Sequence, residues 1–97
     1  MADMLITKAH NTSEIEATAK MRTTVDALHA QYKQFIEHID WSEDYKCAKI
    51  DGRVFTFELN VTQHDVIVTA TLKGLAAKLA RGIITDTINA ELSRAYG

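Results

Sequence analysis

Two runs, Phe55 to Val61 and Val66 to Leu72, alternate apolar and polar residues, and the two alternations fit each other. If Thr62 to Asp65 turns the chain, Val61 faces Val66, Leu59 faces Val68, Phe57 faces Ala70 and Phe55 faces Leu72. The opposite face then carries Thr56 with Thr71, Glu58 with Thr69 and Asn60 with Ile67. Side chains alternate faces along a strand, so a slip of one residue would move every large apolar group to the wrong side. The two runs therefore predict an antiparallel pair with one face buried and one polar.

The neighbouring segments extend that pair. Asp51-Gly52 reads as a two-residue hairpin turn with positive φ at both positions, placing Ile50 opposite Arg53 and Ala48 opposite Phe55. Met4 to Ala9 reads as a short first strand ended by the polar run His10-Asn11-Thr12-Ser13. Ser13 with Glu16 forms a capping box, with Asn11 and Glu14 as an alternative, and opens a helix. Apolar or small residues recur at Ile15, Thr18, Met21, Val25, Leu28, Tyr32, Phe35, Ile36 and Ile39, which predicts helix to about His38. Asp40 to Asp44 reads as an acidic connector containing Trp41. Gly74 ends the last strand. A second helix follows from Leu75 to about Tyr96, with Ala76, Leu79, Ala80, Ile83, Ile84, Ile88 and Leu92 on its stripe and Gly82 marking close packing.

The predicted order is β-α-β-β-β-α, an α+β fold in which two long helices pack on one face of an antiparallel meander. The 97 residues contain no proline and no linker-like stretch, so residues 1–97 form one domain. A first helix of about 26 residues would measure about 39 Å, against about 30 Å for a nine-residue strand. Its seam of Thr18, Met21, Val25, Leu28, Tyr32, Phe35 and Ile39 would then overhang the sheet. An overhanging apolar seam predicts a homodimer built on Met21, Val25, Leu28, Tyr32, Phe35 and Ile39, with Trp41 at its end.

The chemistry-bearing residues are sparse. A net charge of −2 with mixed signs disfavours nucleic acid as a partner. His10, His29, His38 and His64 lack the i, i+4 pairing typical of zinc sites, and Glu37, Asp40, Glu43 and Asp44 fit no calcium loop, so no metal or cofactor is expected. Cys47 is the single cysteine and falls on the polar sheet face beside Thr56, with Lys46 and Lys49 read as pointing away, so it reads as structural rather than nucleophilic. Catalysis through His64-Asp65 is disfavoured by their place in a turn. Lys73, Lys78 and Arg81 cluster at the start of the second helix, as an anion-binding rim or a solubilising one. The N-terminal residues Met1 to Met4 do not resemble a targeting signal and no apolar run reaches membrane-span length, so the expected location is the cytoplasm.

The sequence resembles the polyhydroxyalkanoic acid system proteins along nearly its whole length. The likeness lies in the strand ending near His10, the long helix with Tyr32, Trp41 at the connector, and Val66-Ile67-Val68-Thr69-Ala70-Thr71-Leu72 running into Lys73-Gly74-Leu75; Ile83, Ile88 and Leu92 of the final helix complete it. The resemblance implies a small bacterial, non-enzymatic accessory protein that binds a polyester storage granule or a granule protein. Two alternatives are a self-associating structural or adaptor domain, and a small carrier of apolar ligands with its pocket between helices and sheet.

Overall fold

The computed structural model describes residues 3–97; Met1 and Ala2, part of the stretch read above for a targeting signal, lie outside the described residues. Five strands and three helices follow in the order β1 (Met4–Ala9), α1 (Glu14–Gln31), β2 (Ile36–Trp41), β3 (Cys47–Gly52), β4 (Phe55–Val61), β5 (Asp65–Leu72), α2 (Leu75–Leu79) and α3 (Arg81–Tyr96). The sheet is antiparallel throughout, in the order β1-β5-β4-β3-β2. The α+β class and the meander are as the alternation predicts, with one strand and one helix more than expected.

The β4–β5 register is the predicted one from Phe55 against Leu72 to Val61 against Val66. Its inner face is buried at every position: Phe55, Phe57, Leu59, Val61, Val66, Val68, Ala70 and Leu72. Phe55 and Phe57 stack at 4.3 Å between ring centroids, and Tyr32 meets both edge-on. Buried residues of α1 (Ala17, Met21, Val25, Leu28) and of α3 (Ile84, Ile88, Leu92) complete the same core.

The β3–β4 turn differs from expectation. Ile50 pairs with Phe57 and Ala48 with Leu59, so the strands meet four residues further along β4. The shift is even in number, so Ala48 and Ile50 keep their predicted face. Neither Asp51 nor Gly52 has positive φ. Gly52 instead extends β3 and lies against the backbone of Phe35: Arg53 donates its amide to the Phe35 carbonyl at 2.8 Å.

The largest correction concerns the first helix. It starts at the predicted cap, with Ser13 Oγ accepting from the Glu16 amide, but ends at Gln31 rather than near His38. Tyr32 caps it, a turn follows, and Ile36–Trp41 pairs with β3, placing Ile39 opposite Ile50 and Trp41 opposite Ala48. Continuing the helix would strip β3 of this partner and leave its edge amides unpaired, which explains why tertiary pairing overrides the periodicity. At 18 residues α1 covers about 27 Å. It connects one edge strand to the other, over a five-stranded sheet about 19 Å wide. The overhanging seam is therefore absent: Met21, Val25 and Leu28 are core residues, and the homodimer expected from the seam loses that basis.

The acidic connector is a hairpin turn between β2 and β3. Asp44 accepts hydrogen bonds from the Ser42 hydroxyl and the Lys46 amide, and these bonds, the Lys46 amide first, hold its carboxyl below the ordinary range. Trp41 packs on Tyr45 at 5.7 Å beside this turn, at the end of a strand instead of in a loop.

At the other end of the chain, buried Tyr96 donates its hydroxyl to the Ala17 carbonyl at 2.9 Å and pins α3 to α1. Burial, opposed by the Thr24 hydroxyl, pushes the phenol up to about 12. Above pH about 10 an unfolded tyrosine ionises while the folded one keeps its proton, so the folded state is penalised as pH rises to about 12. We expect stability to fall across that window by about 1–2 kcal/mol more in the wild type than in Tyr96→Phe. Parallel pH profiles of urea unfolding for the two proteins would contradict this.

Candidate docking site

The second predicted helix is two helices, and their junction leaves a row of large apolar side chains exposed. Gly74, at φ +88°, turns the chain out of β5, a backbone conformation that a side chain would strain. α2 then lasts only from Leu75 to Leu79 and breaks at Ala80, whose amide reaches back to the carbonyls of Ala76 and Ala77. Ala77 is the only buried residue of α2. Leu75, Leu79 and Ile83, each four residues from the next, remain 74%, 79% and 72% exposed. Spacing of four puts side chains on one side of a helical path.

Of these three, Ile83 lines an open apolar cleft of about 250 Å³, walled by Tyr32, Phe35, Val54 and Phe55 and by Ala76, Ala77, Ala80 and Ile84. Phe35 is itself 38% exposed, and the Arg53 guanidinium lies 6.0 Å from its ring centroid. Arg53 also donates to the Gln34 carbonyl, and Lys73 Nζ donates to the Gly52 carbonyl at 3.1 Å. Arg53 is thereby held beside Phe35, one wall of the cleft, and Lys73 beside Gly52.

The predicted interaction residues are dispersed. Met21, Val25 and Leu28 are buried in the core, Ile39 and Trp41 belong to β2, and Tyr32 and Phe35 reach the cleft. Of the predicted anion rim, Lys73 is tied to Gly52, while Lys78 falls in the last turn of α2, where positive charge suits the helix dipole. Arg81 opens α3. The break at Ala80 removes the opposition between basic residue and helix N-terminus for Lys78, while Arg81, at the first position of α3, still opposes that helix's dipole.

Periodicity places Leu79 and Ile83 on the buried stripe and does not single out Leu75. The signal was present in the width of that stripe, since Leu75, Leu79 and Ile83 form a row separate from Ala77, Ile84, Ile88 and Leu92. Gly82 is exposed with nothing near its missing Cβ, so it marks no close packing.

Among the remaining polar candidates, His10 and His38 make structural contacts. The Thr12 amide donates to His10 Nδ1 at 3.3 Å, so the ring proton lies on Nε2, which meets the Thr62 carbonyl at 2.9 Å. His38 contacts Asp40 at 2.8 Å on the surface. Cys47 lies opposite Asn60 rather than Thr56, and Lys49 shares its face instead of pointing away. Burial, then the charges of Glu58 and Asp44, push its thiol above the ordinary value, the opposite of what a nucleophile needs. Buried Glu91 accepts from Gln31 and from Arg94, joining the end of α1 to α3. Among the described residues no cluster of three or more histidine, cysteine or acidic side chains is placed to hold a metal ion, and no helix is long and apolar enough to cross a membrane.

No family model, curated protein or solved structure matches the chain.

Proposed function

We propose that this domain is a non-enzymatic accessory module that docks on a hydrophobic surface through α2, in the manner of a protein bound to a polyester storage granule. The observation that carries the reading is the exposed row Leu75, Leu79 and Ile83 beside an apolar cleft. Contiguous exposed apolar surface on a small domain commonly marks an interaction site. The likeness to polyhydroxyalkanoic acid system proteins supplies the kind of surface. A ligand carrier is less well supported, because the cleft is open and falls below the roughly 300–1,000 Å³ of typical small-molecule sites.

Co-sedimentation with polyhydroxybutyrate particles tests the reading. Wild-type protein should pellet with the particles, and Leu75→Ser/Leu79→Ser should stay in the supernatant. Both leucines are exposed, so each change should shift folding stability by less than about 0.5 kcal/mol. Equal pelleting of the two proteins would remove α2 from the docking role.

A further inference from the structure

We infer that the α2 docking site is built for an anionic lipid surface, apolar at its centre and cationic at its rim; this deepens the reading above and rests on it. The segment from Leu72 to Thr85 contains Lys73, Lys78 and Arg81 and no acidic residue. The chain as a whole carries −2, so these three cations leave −5 on the remainder. Three of the eleven Lys and Arg lie on the segment that exposes Leu75, Leu79 and Ile83, which meets its first acid at Asp86. Arg53 adds a fourth cation from the opposite lip of the cleft, held over Phe35.

This pairing has a specific use. A purely apolar partner would use the leucines and isoleucine but gain nothing from the cations. An anionic lipid surface satisfies both parts at once: the leucines and isoleucine enter the acyl boundary while lysine and arginine heads stay among the phosphates. Charge complementarity therefore selects the lipid surface over a neutral apolar one. The single turn of α2 is too short to span anything, which suits a shallow contact.

Vesicle co-sedimentation of the full chain decides the matter, comparing phosphatidylcholine alone with phosphatidylcholine containing about 30 mol% phosphatidylglycerol. Wild-type protein should bind the anionic vesicles at least about tenfold more tightly, and most of that preference should vanish in about 0.5 M salt. Lys78→Glu/Arg81→Glu should lose the preference. Lys20→Glu/Arg22→Glu, with the same change in net charge placed on α1, should retain most of it. Leu75→Ser/Leu79→Ser should bind neither vesicle. Circular dichroism of all variants should match the wild type. Equal binding of wild type to both vesicles overturns the anionic selection while polyester binding, measured separately, keeps the docking reading; failure on vesicles and polyester alike overturns both. Light scattering that shows a dimer abolished by the leucine changes would assign the face to a second copy instead and also overturn the inference.

Discussion

Phe57→Ala is expected to destabilise the domain by about 3–5 kcal/mol, the range for removing a large buried aromatic ring. Phe57 has no solvent exposure, stacks on Phe55 and meets the edge of Tyr32. It stands opposite Ile50 on one side and Ala70 on the other, at the centre of the sheet. Truncation leaves a hole between rigid strands and α1, and neither neighbour can collapse into it without breaking the ladder. Glu58, one residue on, faces outward between Lys49 and Thr69. Its replacement by alanine should change stability by less than about 0.5 kcal/mol. Urea unfolding measures both, and similar effects at the two positions would refute the face assignment of β4.

Gly52→Ala is expected to lower stability by about 2–3 kcal/mol, as overpacking does where the neighbours are backbone. A Cβ at Gly52 would stand 2.7 Å from the Phe35 carbonyl oxygen and 2.9 Å from Cε1 of Phe55. The first contact cannot be relieved by a rotamer change, since that oxygen also accepts the Arg53 amide. The bulged start of β2 must move away from β3, and edge amides near Ile36 and Ile39 should exchange faster than in the wild type. Wild-type stability with unchanged exchange in β2 would show that the close approach is not needed.

These two residues differ in how visible their roles were beforehand. Phe57 was legible because alternation on two adjacent runs constrains a register twice over, and both constraints had one solution. The role of Gly52 was hidden behind a better-known use of Asp-Gly, a tight turn. The real use, close approach by Phe35, involves a residue seventeen positions away that periodicity placed in a helix. The docking site was half legible for a similar reason: Lys73, Lys78 and Arg81 stood out by charge, while Leu79 and Ile83 looked like ordinary core positions.

By itself the sequence determined the β4–β5 pairing, the faces of the β4 and β5 residues and of Ala48 and Ile50, the Ser13 cap and the placing of helices over the apolar face. All of these follow from local periodicity or from partners joined by a short turn, where one repeat length decides the outcome. Tertiary structure alone decided where α1 stops, that Ile36–Trp41 becomes an edge strand, that β1 pairs with β5, and that the last helix breaks at Ala80 to leave Leu75 and Leu79 outside. In each of those cases the local pattern admits two conformations of similar merit. The choice depends on hydrogen bonds and burial offered by strands distant along the chain, such as β3 for β2 and β5 for β1, which act only once the sheet exists.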